Sequence, residues 1–206
     1  MTGRYGSPPG NCSEGSHLRT TYRYILQAFP RLGRAPSVLE IEQELQLTKN
    51  VIADILKSLT VEGALRYDPT TQRIVDAYPY SAVPTRYGVI FENGKHAYCT
   101  SAVEAFCVPF LTKSDVTIHS RCSQCQLHIR IGVTGFTLGL AEPTTAMIWE
   151  SAAPHDWPKT NFFCCEAHLL DWRANAPGKT GQACSLGTAL DRGHKAAGRI
   201  RQSAGL

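Results

Sequence analysis

Two short cysteine groups constrain the fold of this 206-residue chain more than any other feature. The first is "CSQC", with Cys122 and Cys125, and the second is "FCCEAH", with Cys164, Cys165 and His168. The spacing within each group lets two side chains face one metal ion, and two such groups complete a tetrahedron. The pattern therefore favours a fold in which these two groups meet.

Composition sets the class of protein and the compartment. Hydrophobic residues make up 43% and charged residues 18% of the chain, which is typical of a globular protein. The N-terminus lacks the apolar core of a signal peptide, and no apolar run reaches the ~20 residues that span a bilayer. We expect a cytoplasmic protein without a membrane partner. Because the cytosol disfavours disulfides, the eight cysteines of the chain indicate metal or thiol chemistry.

The first third of the chain predicts a winged-helix-like domain. Residues 1–17 are rich in Gly, Ser and Pro and predict a flexible tail, and residues 18–81 follow as the domain. Three segments with helical apolar spacing come first, the second with Ser37 as N-cap and Glu40 at the capping-box position. A hairpin pattern with a "DPTTQ" turn then completes the winged-helix order.

The third predicted helix is the one that would contact DNA in a winged-helix protein. Lys49 and Lys57 alternate there with Asp54 and Glu62, so the charges cancel. A DNA-binding helix usually clusters Lys and Arg on one face, because it neutralises phosphates. We therefore expect no nucleic-acid partner and interpret this domain as a structural or interaction module.

Residues 82–206 predict a second, mixed domain, and the chain as a whole predicts an α+β fold with an antiparallel-rich sheet. The segment "ENGK" predicts a tight hairpin turn, since Asn-Gly is a strong turn pair. A short helix is predicted to end near Pro109, and successive strands follow it. Cys164 and Cys165 fall between a strand and a helix, and the last stretch predicts a C-terminal helix.

The residues alone leave two readings of the cysteines open. One is a metal site for zinc or copper, with Cys122, Cys125, Cys164, Cys165 and His168 as ligands. The gap from residue 125 to residue 164 is longer than the common zinc-finger spacing. The other is a pair of reactive thiols, because a cysteine at a helix N-terminus has its thiolate stabilised by backbone N–H groups.

Four segments in order resemble the organomercurial (alkylmercury) lyase family. They are "QRIVDAYPYS", "AYCTSAVEAFCVPFL", "HSRCSQC" and "FCCEAH". The resemblance covers residues 18–195 and implies a winged-helix-like domain followed by a mixed domain that holds the active site. The chemistry it implies uses two thiolates, which bind mercury, and one acid, which protonates the departing carbon.

The resemblance assigns roles residue by residue. Cys164 matches the second catalytic cysteine and Cys165 its neighbour, while Cys122 matches a structural cysteine of the family. Glu104 matches the acid, and Ser101 occupies the position of the first catalytic cysteine.

A serine at position 101 is a departure from the family pattern. Its hydroxyl is a hard ligand and a poor replacement for a thiolate toward mercury. Cys99 lies two residues earlier and replaces the thiol if that segment is extended, since residues i and i+2 of a strand share a face. Cys125 is a thiol that the family pattern does not imply.

Three hypotheses follow. The first is an alkylmercury-lyase-like enzyme, with Cys164 binding mercury and Glu104 donating the proton, which predicts that Ser101→Cys gains activity. The second is a non-enzymatic zinc- or copper-binding protein, and the third is a metal-responsive DNA-binding regulator. The first implies a small organometallic or thiol-reactive substrate, mercury as substrate or product ion, no organic cofactor, and a metal-accepting reductase or carrier as partner.

Overall fold

The computed structural model describes residues 12–152, 160–176 and 178–206, with side chains from residue 15 onward. Its helices are α1 (Cys12–Leu32), α2 (Val38–Leu45), α3 (Lys49–Val61), α4 (Ala102–Thr112), α5 (Glu166–Ala174) and α6 (Leu186–Ala204). Its strands are β1 (Leu65–Asp68), β2 (Arg73–Ala77), β3 (Tyr80–Ser81), β4 (Gly88–Phe91), β5 (His96–Cys99), β6 (Val116–Arg121), β7 (His128–Thr134), β8 (Thr137–Glu142), β9 (Met147–Ser151), β10 (Thr160–Phe163) and β11 (Gly181–Ser185).

The N-terminal helices form where the apolar spacing predicts them, but the first begins earlier. α1 starts at Cys12, inside the segment predicted as a tail, and residues 1–11 lie outside the described residues. The capping box of α2 is present, because Ser37 accepts a hydrogen bond from the Glu40 backbone N–H and Glu40 accepts one from the Ser37 N–H. α3 buries Ile52, Ile55, Leu56 and Leu59, whereas Val51 is exposed.

A single antiparallel sheet runs through most of the molecule. Its eight strands are ordered β1-β2-β3-β5-β4-β6-β7-β8, so the predicted α+β fold with an antiparallel-rich sheet is confirmed. The two-residue strand β3 pairs with β2 on one side and with β5 on the other. The boundary predicted between residues 81 and 82 therefore falls inside a continuous sheet. The winged-helix interpretation of residues 18–81 stays a prediction.

The helix α4 continues past the proline that was predicted to end it. Pro109 lacks the N–H that would bond to the carbonyl of Ala105, yet the helix extends to Thr112 and ends with Lys113 in the left-handed conformation. Burial explains the persistence, since every residue from Ala102 to Pro109 is buried. α6 packs closely against it, because a Cβ atom at Gly193 would lie 2.6 Å from the Phe106 carbonyl carbon.

A second sheet carries the strand that leads to the cysteine pair. Its three strands are ordered β10-β9-β11, all antiparallel. β11 is a strand that the sequence analysis did not predict. All four residues of β10 are buried, so the chain enters α5 directly from the core. Within the described residues, no helix is both long and apolar enough to cross a membrane.

Candidate metal centre

The "CSQC" segment forms the tight turn between β6 and β7. Cys122 directly follows β6, and its backbone N–H donates to the carbonyl of Leu127 at 2.8 Å. The N–H of Gln126 donates back to the Cys122 carbonyl at 3.0 Å, with Gln126 at a φ of 63°. The turn predicted from the sequence is thus present and brings the side chains of Cys122 and Cys125 to one side.

The "FCCEAH" segment joins β10 to α5. Cys165 is the N-cap residue of α5 with extended backbone angles, and Cys164 precedes it. His168 lies in the first turn of the helix. Helical side chains tilt toward the N-terminus, so the imidazole of His168 points back to Cys164. The hydroxyl of Thr145 donates to the carbonyl of Cys164 at 2.7 Å and fixes the backbone there.

Polar contacts outside the two cysteine groups hold the turn against β10. The N–H of Ser123 donates to the carbonyl of Phe162 at 2.9 Å, and the Ser123 hydroxyl donates to Asn161 Oδ1 at 3.3 Å. Tyr87 donates to the same Asn161 oxygen at 3.1 Å, and Arg86 donates to Ser123. The sequence analysis did not identify these supporting residues. A polar residue inside the apolar run "TNFF" was the available signal.

Four side chains from the two segments meet in one place. Cys122, Cys125, Cys164 and His168, here named the four-ligand cluster, present ligand atoms that all lie within 4.8 Å of one another. Cys125 Sγ lies 3.7 Å from Cys164 Sγ, and Cys122 Sγ lies 3.9 Å from His168 Nδ1. His168 Nδ1 is only 2.9 Å from Cys164 Sγ. Cys122 and Cys164 are buried, His168 is half-buried, and Cys125 is exposed.

The surroundings of the cluster shift the pKa values of Cys122 and Cys164 in opposite directions. Burial alone raises the pKa of Cys122, but hydrogen bonds to its sulfur outweigh burial and bring the pKa to about 7. The donors are the backbone N–H groups of Cys125, Cys164 and Gln124. Burial raises the pKa of Cys164 well above its usual range, and contacts with Cys122 and Cys125 add to the effect. The pKa of Cys122 thus lies below that of Cys164, so the cluster favours the thiolate at Cys122 over that at Cys164.

Cys165 belongs to the predicted metal set but is not one of the four residues that converge. Its sulfur is 4.0 Å from that of Cys164, and its side chain is half-buried. Neighbouring residues in an extended segment point in opposite directions, which separates Cys165 from the cluster while Cys164 faces it. It is a further thiol at the margin of the site.

The other predicted catalytic residues lie in different surroundings. Ser101 is the N-cap residue of α4, and its buried hydroxyl accepts a hydrogen bond from Thr160 Oγ1 at 2.7 Å. Thr160 is the first residue of β10 and Cys164 follows the last, so about 13 Å of extended chain separates them at ~3.3 Å per residue. The ring of Phe162 lies between them on the same face of the strand.

Glu104 and Cys99 also sit apart from the four-ligand cluster in their described surroundings. Glu104 is buried and lines a cavity of about 570 Å³ between α1, α3 and α6, together with Tyr78 and Arg199. Cys99 is fully buried on β5 and pairs with Tyr80. Burial raises the pKa of the Cys99 thiol, and nearby Cys107 and Glu104 raise it further.

Comparison with known proteins adds a family and a fold. A family model described as alkylmercury lyase matches residues 80–198. A search of curated proteins finds no match. A solved structure described as the mercury-bound form of MerB2 is similar with a TM-score of 0.70 at 20% sequence identity, covering 90% of this chain and 99% of that chain. This structural likeness concerns the fold, and the family model spans most of the sheet, α4, α5 and both cysteine groups.

Proposed function

The chain belongs to the alkylmercury lyase family, and from this premise we propose that it cleaves the carbon–mercury bond of small organomercurials. The observation that carries the proposal is the position of Cys164, whose sulfur lies 3.7 Å from a second thiol and 2.9 Å from an imidazole. Sulfur ligands suit a soft metal such as mercury, and an imidazole nitrogen can carry a proton or accept a hydrogen bond.

The proposed reaction is a protonolysis. An organomercurial cation R–Hg⁺ and two thiols give the hydrocarbon R–H, a mercury dithiolate and one proton. The carbon–mercury bond breaks, its electron pair takes up a proton to form the carbon–hydrogen bond, and two sulfur–mercury bonds form. Cys164 provides one sulfur and Cys125 or Cys122 the other, because these thiols lie in the same cluster. No oxidant or organic cofactor enters this balance.

We assign the proton donor to His168 rather than to Glu104. Its Nδ1 atom lies 2.9 Å from Cys164 Sγ, within reach of a carbon bound to mercury at that sulfur. Glu104 lines the cavity beside Tyr78 and Arg199, on the side of α4 that faces α1 and α6. Donation from Glu104 is the role that the resemblance implies for this residue.

The product determines the partner. A mercury dithiolate is stable, so release of the ion from the chain needs an acceptor that offers thiolates of its own. We propose a metal-accepting reductase or carrier with an exposed cysteine pair. Nucleic acid is not proposed as a partner, because Lys57 of α3 is ion-paired with Asp54 at 3.2 Å. A gel-shift titration that shows sequence-selective binding of duplex DNA at physiological salt would contradict this.

A second candidate function is metal binding without turnover. It is favoured by Ser101, which stands where the family resemblance implies the first catalytic thiol. Its hydroxyl is engaged in a hydrogen bond with Thr160. In this case the cluster binds zinc or copper, and an organomercurial binds without losing its organic group.

Release of benzene from phenylmercuric acetate distinguishes the two functions. We expect the parent protein to release benzene, Cys164→Ser to release none above the uncatalysed background, and Cys165→Ser to resemble the parent. Circular dichroism and thermal unfolding establish that each variant is folded. Parent protein that binds phenylmercury and releases no benzene rejects the lyase proposal in favour of metal binding. Unchanged turnover in Cys164→Ser rejects Cys164 as the mercury ligand.

A further inference from the structure

We propose that Cys122, Cys125, Cys164 and His168 hold one resident zinc ion in a closed tetrahedral site, with Cys165 outside it. Among these thiols, the family pattern assigns mercury to Cys164 alone, and it includes neither Cys125 nor a zinc ion. The proposal concerns the same thiols and the same imidazole as the proposed lyase function, so zinc has to leave the site before His168 Nδ1 can donate a proton there. It stands on its own evidence, because it depends on geometry and donor type rather than on turnover.

The distances within the cluster match the edges of a zinc tetrahedron. Zinc–sulfur bonds of ~2.3 Å and zinc–nitrogen bonds of ~2.0–2.1 Å give ligand–ligand edges of about 3.5–3.8 Å. Cys125 Sγ and Cys164 Sγ are 3.7 Å apart, and Cys122 Sγ and His168 Nδ1 are 3.9 Å apart. The sulfur–sulfur edge already has the required length, and the opposite sulfur–nitrogen edge is slightly longer than required. The third measured edge, 2.9 Å between Cys164 and His168, is a hydrogen bond that opens when a metal replaces the proton.

The donor set selects zinc among common ions. Three sulfurs and one imidazole nitrogen form a ligand combination typical of structural zinc sites, whereas calcium and magnesium require oxygen ligands. The Cys125–Cys164 and Cys122–His168 edges each join the two segments, so ligand atoms of one segment face those of the other. Copper(II) favours a tetragonal arrangement of nitrogen and oxygen, which this cluster does not offer.

The site is preformed by contacts that do not involve the ligands. Ser123, inside the Cys-x-x-Cys turn, donates its backbone N–H to Phe162 of β10 at 2.9 Å. Its hydroxyl also donates to Asn161. The Cys-x-x-Cys turn and β10 are therefore joined beside the cluster. The turn supplies Cys122 and Cys125, and the segment after β10 supplies Cys164 and His168. All four positions of the tetrahedron are taken by the protein, which is the arrangement of a structural rather than a catalytic zinc site.

Resident zinc also sets the order of events with mercury. Zinc holds its cysteine ligands as thiolates, and thiolate is the form that attacks a mercury ion. With zinc bound, transfer of two of its thiolates to mercury would form two sulfur–mercury bonds and release the zinc ion. Cys125 is the exposed ligand of the four, so mercury reaches its sulfur first, whereas Cys165 is half-buried, 4.0 Å from Cys164 and outside the tetrahedron.

Elemental analysis of the full-length chain, purified without chelators from cells grown with zinc and copper, tests the proposal. We expect one zinc per chain in the parent and in Cys165→Ser, and at least a tenfold loss of zinc in Cys125→Ser. Cys125 is exposed, so its substitution leaves the core intact, and circular dichroism verifies this. Parent protein without zinc, parent protein with copper instead, or full zinc in Cys125→Ser overturns the proposal.

A second measurement separates this proposal from the lyase proposal. Phenylmercuric acetate is added to the zinc-loaded parent, and released zinc is followed with a chromogenic chelator while benzene is followed by gas chromatography. Zinc content without benzene release supports the zinc site and rejects the lyase. Benzene release by a chain that never contained zinc rejects the zinc site and supports the lyase. Zinc release in proportion to added mercury, together with benzene release, supports both proposals.

Discussion

The two ends of β10 carry polar clusters of opposite chemical character. At its first residue, Thr160 donates to the Ser101 hydroxyl and accepts the backbone N–H of Val103, so hydroxyl groups satisfy the start of α4. After its last residue, Cys164 meets two further thiols and an imidazole. One end offers hard, neutral oxygens, and the other offers soft donors suited to zinc or mercury.

The comparison indicates how the site of this chain differs from the pattern that the family resemblance implies. That pattern calls for a thiol at position 101 and none at position 125, and this chain has the reverse. The hydroxyl at Ser101 is engaged in a buried hydrogen bond, while the thiol at Cys125 completes a cluster. We infer that metal chemistry is concentrated at the α5 end of β10 and that the α4 end has a structural role.

Replacing the proton donor at each end should give the largest contrast. We expect His168→Asn to lower benzene release by ~10²–10⁴-fold, the usual contribution of a placed proton donor. Glu104→Gln should release benzene at close to the parental rate, because its carboxyl lines a separate cavity. Initial rates at saturating phenylmercuric acetate check both values.

Zinc content serves as the control for this pair, since His168 is also a proposed ligand. Turnover is therefore compared in protein reloaded with zinc as well as in the purified form. Loss of turnover in Glu104→Gln together with retention in His168→Asn contradicts our assignment and returns the acid to the position that the family resemblance implies.

Removal of zinc should loosen one end of β10 and leave the other unchanged. With dipicolinate, we expect faster amide hydrogen exchange at Ser123 and Gln126 of the turn and at the start of α5, because structural zinc contributes directly to folding. Exchange at Val103 should not change, since its N–H is bonded to Thr160. Equal acceleration at both ends shows that the two clusters unfold as one unit.

Thr160→Val tests the hydroxyl end with a side chain of nearly the same shape. The substitution leaves the Val103 N–H without its acceptor, and we expect a loss of about 1–3 kcal/mol in the free energy of unfolding. Urea denaturation measures this loss. Zinc content should be that of the parent. A drop in zinc would show that the Ser101 and Thr160 hydroxyls support the metal site through β10.

Ser101→Cys is expected to have the smallest effect, although the sequence alone predicts a gain in activity. A thiol at this position is separated from Cys164 by the length of β10, so we expect no increase in benzene release. Weakening of the hydrogen bond from Thr160 should cost about 1 kcal/mol in unfolding free energy. A clear rise in turnover indicates that both ends of β10 act in one site during catalysis.

Structural elements that depend on residues close together in the chain are predicted well from the sequence. The capping box of Ser37 and Glu40 and the hairpin turn at Asn93 and Gly94 are present, because each depends only on residues a few positions apart. Pro109 misleads because tertiary burial of α4 outweighs the loss of one hydrogen bond. β11 was missed because "GQACS" has only one buried residue and so lacks a strand pattern.

The candidate site was predictable in composition but not in arrangement. The spacing within "CSQC" and "FCCEAH" identifies the ligands, since each segment is a local turn or helix start. Which of Cys165 and His168 joins Cys164 depends on how α5 leaves β10, and that is set by tertiary packing. The place of Ser101 at the opposite end of β10 depends on the pairing of distant segments, which no local pattern encodes.

The short strand β3 makes the N-terminal helices inseparable from the sheet that carries the site. Its two residues bridge β2 and β5, and the ring of Tyr80 stacks on Phe29 of α1 at 4.7 Å. A fragment that starts at residue 82 would leave β5 with an open row of backbone N–H and carbonyl groups, which invites pairing with other chains. Cutting this protein at the domain boundary predicted between residues 81 and 82 is therefore a route to aggregation.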